Sequence, residues 1–106
     1  MGNRVHIEIP YEKIAEFCRK WKIQELSLFG SVLREDFGPD SDIDVLVSFV
    51  PGADWSLFDH IRMEEEFSTI LGRNVDIVTR RTVERSDNWI RRKAILESAV
   101  PCYVER

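Results

Sequence analysis

Asp42-Ile43-Asp44-Val45-Leu46-Val47-Ser48-Phe49 is the stretch whose reading decides how this chain folds. It is rich in β-branched and aromatic residues and stops before Pro51, which predicts a strand over residues 42–49. Side chains leave a strand alternately to its two faces. Asp42 and Asp44 therefore share one face, and Ile43, Val45 and Val47 point to the other. Two carboxylates at that spacing repel each other unless a cation sits between them or one is protonated. A hard ion such as Mg²⁺ takes oxygen ligands of this kind and keeps positions for substrate phosphates. A plainer reading also fits: Asp42 caps a turn, and Asp44 is the solvated half of an alternating strand.

Working outward, Glu25-Leu26-Ser27-Leu28-Phe29 reads as a second strand, halted at Gly30. Residues 31–36 then make one helical turn, and Gly38, Pro39, Asp40 and Ser41 a loop. Further upstream, Pro10 suits a first helical turn, and Tyr11, Ile14, Phe17, Cys18 and Trp21 follow at helical spacing, predicting a helix over 10–22. Residues 4–9 alternate weakly through Val5, Ile7 and Ile9, as a short edge strand or an ordered tail would. Downstream, Leu57, Phe58, Ile61, Phe67, Ile70 and Leu71 form the apolar face of a second helix that stops at Gly72. A third strand covers 74–79, with Asp76 set between Val75 and Ile77. A last helix covers 86–98, carries Trp89, Ile90, Ala94 and Leu96 on neighbouring faces, and is closed by Pro101. This order predicts an α/β (α+β) domain, a small mixed sheet with helices packed on it. Strand order and direction stay open.

If the strands over 42–49 and 74–79 are neighbours, Asp42, Asp44 and Asp76 converge on one patch of sheet able to hold two divalent ions, as phosphoryl-transfer sites do. Otherwise Asp76 faces water on an edge. Gly30-Ser31 sits just after a strand, where glycine lets backbone N–H groups approach a phosphate and a helix start favours an anion. The Ser31 hydroxyl offers another donor, and Arg34 a positive charge three residues on. An ordinary turn glycine with a capping serine explains the same pair. The segment is neither a P-loop, lacking Gly-Lys-Ser/Thr, nor a dinucleotide fingerprint, lacking two of three glycines.

Composition bounds the answer. With 106 residues there is room for one domain, and 43% hydrophobic against 32% charged residues is a globular balance. The 19 acidic and 15 basic residues leave a net charge of -4, which argues against a protein that coats DNA or anionic membrane. Apolar runs such as Val45-Leu46-Val47 are far too short to span a bilayer, and residues 1–6 show no secretory h-region. Cys18 and Cys102 lack metal-ligand spacing, and they fit reduced thiols in a cytoplasmic protein. His6 and His60 have no partner at zinc spacing. Arg80-Arg81 and Arg91-Arg92-Lys93 could reach a phosphate or a partner, but solvated helix ends explain them as well.

Taken together, Gly30-Ser31-Val32-Leu33-Arg34 followed by Ser41-Asp42-Ile43-Asp44-Val45-Leu46-Val47 resembles the nucleotidyltransferase superfamily that includes DNA polymerase beta. Within it the chain is similar to the minimal nucleotidyltransferases found as antitoxins beside HEPN-domain toxins. The likeness runs from the first helix to Ile90-Arg91-Arg92-Lys93-Ala94-Ile95-Leu96, which is similar to the family's final helix. Members often carry a small residue before the arginine and a glycine after it; here these are Leu33 and Glu35. The resemblance implies a single domain over 1–106 with the polymerase beta-like fold. It implies Gly30, Ser31, Arg34 and Ser41 as nucleotide phosphate ligands. Asp42, Asp44 and Asp76 become the catalytic residues and the ligands of two Mg²⁺ ions, with Asp76 helping to orient or deprotonate the attacking hydroxyl. The implied reaction moves AMP from ATP to a tyrosine of a HEPN ribonuclease toxin encoded nearby and releases pyrophosphate, with no membrane or direct DNA contact. Because the motifs take up most of the chain, the acceptor is expected on another protein. Two other functions fit the residues. One is a non-catalytic antitoxin that masks its toxin through Trp55, Trp89 or the Phe58 region. The other is a small-molecule nucleotidyltransferase, for which a homodimer could build the acceptor pocket.

Overall fold

A computed structural model describes residues 8–33, 38 and 41–105; Arg34 and most of the weakly alternating segment 4–9 lie outside them. In chain order the elements are α1 (Tyr11–Lys20), β1 (Ile23–Phe29), a 3₁₀ turn (Gly30–Leu33), β2 (Ile43–Phe49), α2 (Leu57–Leu71), β3 (Val75–Thr79), α3 (Arg80–Glu84), α4 (Trp89–Ser98) and β4 (Val100–Val104). The strands form one mixed sheet in the order β3-β2-β1-β4. β1 is antiparallel to both β2 and β4, while β2 and β3 are parallel and joined through α2. A parallel pair needs such a crossover, so the helix between the two acid-bearing strands is a consequence of their direction.

The two faces of the sheet are covered unequally. Ile43, Val45, Val47, Leu26, Leu28 and Ile77 point into the larger core, where α1 and α2 supply Ile14, Phe17, Cys18, Met63 and Phe67. The Phe17 and Phe67 rings meet there with centroids 4.7 Å apart. On the opposite face, among the described residues, Phe29 and Leu46 cluster with Val83 of α3 and Ile95 of α4, with Val78, Leu96 and Ala99 at the border. Asp44 and Asp76 have the same strand parity as Leu46 and Val78, so they lie on this thinly covered face.

Local chemistry sets several boundaries. α2 opens with a capping box: Ser56 Oγ accepts from the Asp59 N–H and the Asp59 carboxylate accepts from the Ser56 N–H, at 3.2 and 3.0 Å. It ends where expected, at Gly72 in the left-handed conformation (φ 70°), whose N–H donates to Ser68 O. The short helix α3, absent from the sequence reading, starts because Thr79 Oγ1 accepts the Thr82 N–H. The other unexpected element is β4. Pro101 does not merely follow the last helix; it sits inside an edge strand, where a missing N–H is tolerated.

The apolar faces also differ from expectation. α1 buries Ile14, Phe17 and Cys18 as its spacing predicts, though Tyr11 is exposed. α2 buries Met63 and Phe67 but leaves Leu57 and Phe58 in solvent, at 75% and 76% exposed, with Ile61 half-open. In α4 the buried residue is Ile95, whereas Trp89 and Ile90 are exposed. These exposed residues lie in the first turns of α2 and α4, where apolar periodicity is not matched by burial. No helix among the described residues is long and apolar enough to cross a membrane.

Candidate active site

The sheet register does what sequence spacing could not. Asp44 and Asp76 are direct partners across the parallel β2–β3 ladder, and Asp44 is opposite Phe29 on the other side. Adjacent strands are about 4.8 Å apart, so the two carboxylates leave the same face side by side. Both line a cleft of about 470 Å³, with Phe29, Gly30 and Leu33 on one side and Arg91, Ala94, Ile95 and Ser98 of α4 on another.

Gly30 is fitted to this cleft by its missing side chain. It has φ +74°, and a Cβ there would collide with Asp44 Oδ2 and come within 3.2 Å of Asp44 Cγ. The turn thus brings backbone directly against an acidic side chain, which only glycine allows. Ser31, expected to meet a phosphate, makes a hydrogen bond within the fold. Its hydroxyl donates to the backbone carbonyl of Asp42 at 2.9 Å, which ties the 3₁₀ turn to the entry of β2 and commits the hydroxyl proton. Ser41 closes a turn: its N–H donates to Gly38 O at 3.1 Å, and its Oγ accepts the Gly38 N–H at 3.2 Å. The Arg73 guanidinium donates to the same Gly38 carbonyl at 2.8 Å, which joins this loop to the start of β3.

Asp42 differs from its expected place. It precedes β2 rather than lying in it, its side chain is exposed, and it is not among the residues that line the cleft. Among the described residues no three carboxylate, imidazole or thiol groups stand close enough to enclose an ion unaided. Asp44 and Asp76 thus stand as an adjacent pair, with Asp42 two residues before Asp44. An all-oxygen pair facing an open cleft still suits a hard cation that draws its remaining ligands from a bound phosphate and water.

α4 contributes what sequence reading set aside. Arg91, Ala94, Ile95 and Ser98 recur at steps of three, four and seven, so one stripe of the helix forms the cleft wall. Arg80, by contrast, is turned away toward Glu25 and Glu84 at 3.6 and 3.7 Å. Trp55, a candidate anchor, is half-buried: its ring packs on Trp21 at 5.1 Å and its Nε1–H donates to Trp21 O at 2.9 Å. Phe58 and Trp89, the other candidates, are exposed.

Known proteins are similar to this chain in sequence or in fold. Protein adenylyltransferase MntA of Thermococcus cleftensis is 34% identical over 71 residues, 65% of this chain and 68% of that protein. A provisionally named protein adenylyltransferase of Methanocaldococcus jannaschii is 39% identical over 67 residues, 63% of this chain and 70% of its own length. A second M. jannaschii relative is matched over 64% of its length, so part of each relative has no counterpart in the aligned segment. Among solved structures, one described as a minimal nucleotidyltransferase is 33% identical with a TM-score of 0.65, covering 86% of this chain and 87% of that one. A toxin–antitoxin structure with AMP-PNP shares the fold at a TM-score of 0.68 and 18% identity, over 92% of this chain and 76% of that one. So does a complex of tri-AMPylated Shewanella oneidensis HEPN toxin with MNT antitoxin, at 0.60 and 21%, over 89% and 69%. The nucleotidyltransferase domain family model matches residues 11–102, from the first helix into the last strand, and the protein belongs to that family.

Proposed function

We propose that this protein transfers AMP from ATP to a hydroxyl on a partner protein, and that the partner is a HEPN-domain toxin whose tyrosine accepts the adenylate. The observation that carries the reading is the pairing of Asp44 with Asp76 beside Gly30 in one cleft. The relatives named as protein adenylyltransferases support a protein acceptor, and the toxin–antitoxin structures of the same fold support the kind of partner.

In this reading the acceptor oxygen attacks the α-phosphorus of ATP. A new P–O bond forms, the bond from the α-phosphorus to the α–β bridging oxygen breaks, and pyrophosphate leaves with that electron pair. Asp76 orients the attacking hydroxyl and helps to take up its proton. Gly30 lets the backbone of the 3₁₀ turn approach the nucleotide, while Ser31 and Ser41 hold the loops that deliver Asp42 and Asp44. Asp44 and Asp76, with Asp42 and phosphate oxygens completing the shell, would hold Mg²⁺, which when bound stabilises charge on the attacking and leaving oxygens.

The test is to incubate the protein with its genomic neighbour, Mg²⁺ and α-labelled ATP, and to follow label and mass on the neighbour. Adenylate mass is expected on that partner, and Asp44→Asn or Asp76→Asn should lower transfer by roughly 100-fold or more. An Asp76→Asn protein that labels at the normal rate would sink the assignment. A second reading, neutralisation by binding alone, is favoured by the exposed Leu57 and Phe58 on α2 and Trp89 and Ile90 on α4. Tight complex formation without mass gain would select it.

A further inference from the structure

Among the described residues that line the cleft, Arg91 is the one cation. It is the third residue of α4, so its charge lies in the first helical turn. That end carries the positive pole of the helix macrodipole, where a cation is disfavoured and an anion stabilised. No acidic residue in the first turn of α4 offsets it. A solvated helix end of the ordinary kind would place such a residue in the last turn, where the same dipole favours it.

The neighbouring groups are accounted for and the Arg91 guanidinium is not. The Arg91 N–H donates to Asn88 Oδ1 at 3.1 Å, and the Arg92 guanidinium donates to Ser86 O at 2.9 Å. The Arg91 side chain has no hydrogen bond or ion pair with any described residue, although it shares the cleft with Asp44 and Asp76. A guanidinium that lines one cleft with an acid pair, with no ion pair between them, leaves room for a ligand with affinity for both. A polyphosphate does so: its oxygens accept from the planar N–H fork on one side and, through a divalent ion, meet carboxylates on the other.

We infer that Arg91 is a phosphate-binding residue, gripping the nucleotide's polyphosphate from the α4 wall, opposite Asp44 and Asp76. The inference rests on the nucleotidyltransferase reading and adds to it a residue outside the Gly-Ser and Asp-x-Asp motifs.

Calorimetric titration of the intact protein with Mg²⁺·ATP tests it, using wild type, Arg91→Ala, Arg91→Lys and, as a control, Lys93→Ala from the same helix. Arg91→Ala should weaken Mg²⁺·ATP binding by roughly 10- to 100-fold. Arg91→Lys should recover part of that loss, and Lys93→Ala should bind as wild type. Adenosine, which has no phosphate, should not distinguish Arg91→Ala from wild type. Thermal unfolding of each variant checks that an exposed substitution has left the fold intact. Wild-type binding matched by Arg91→Ala overturns the role of Arg91 and leaves the nucleotidyltransferase reading standing. A wild-type protein that does not bind Mg²⁺·ATP overturns that reading and this inference with it.

Discussion

At Gly30 a single missing methyl group settles both backbone shape and acid placement. An alanine there would have to hold a left-handed φ and would push into the Asp44 carboxylate. Each effect is unfavourable, so Gly30→Ala should destabilise the fold by about 1–3 kcal/mol. Because the displaced group is Asp44, adenylate transfer should fall further than the loss of folded protein explains. Urea unfolding alongside a transfer assay checks both, and unchanged stability would contradict the packing at this turn. Cysteine is the opposite case, chemistry present in the sequence but silenced by place. Burial pushes the Cys18 thiol up to about 12 and the Cys102 thiol to about 11. Neither supplies a thiolate near neutral pH.

At the scale of elements, α2 governs the geometry of β3. Its Glu64 carboxylate accepts the Ile77 N–H at 2.8 Å, and the His60 Nε2–H donates to Ile77 O at 2.9 Å. Two side chains one helical turn apart thereby satisfy Ile77 on the outer edge of β3, which has no strand beyond it among the described residues. The start of this helix has a definite pH signature. The Ser56 backbone N–H, and then its hydroxyl, hold the Asp59 carboxyl below the usual carboxylate range. A lowered folded-state pKa contributes stability above the unfolded-state pKa, and that contribution is lost as pH falls through the folded one. Asp59→Asn should therefore unfold at a lower temperature than wild type at about pH 7, with the gap closing by about pH 2. Ser56→Ala, which removes the reciprocal partner, should cost about 1 kcal/mol at neutral pH. Thermal scans across that range check both, and a gap that persists in acid would disprove the link to Asp59 ionisation.

For the molecule as a whole, the unequal cover of the two sheet faces is the organising fact. The face that carries Ile14, Phe17, Met63 and Phe67 is a continuous core, while the face with the acids rests on Phe29, Leu46, Val83 and Ile95. Phe67→Ala should cost about 3–5 kcal/mol and lower protection across the entire sheet. Ile95→Ala should cost about 2 kcal/mol, with its loss of hydrogen-exchange protection concentrated in α3 and α4. Exchange measured residue by residue distinguishes these outcomes; equal protection of α4 and α1 in the wild type would refute the asymmetry. A thin layer over the cleft also leaves α4, with Arg91, as the wall nearest to a local opening.

Much of this was legible in the residue string because it depends on neighbours close in sequence. Helical spacing marked α1 and α2, β-branched runs marked β2 and β3, and Gly72 marked a helix stop, since propensity and capping act over a few residues. The Gly-Ser turn and the Asp-x-Asp strand were visible as candidates on the same ground. Elements whose existence depends on remote partners were not. β4 is a strand because β1 offers it an edge, and the exposure of Trp89 and Phe58 depends on how their helices dock. Asp42 and Asp44 share a parity, yet Asp76, over thirty residues away, is the acid that stands beside Asp44, and Asp42 falls outside the cleft lining. Strand register and helix docking place those groups, and both follow from burying a core against the whole sheet. The sequence by itself determined which residues could make a phosphate-transfer site; only the tertiary structure decided which of them face one another, because that choice is made by long-range packing.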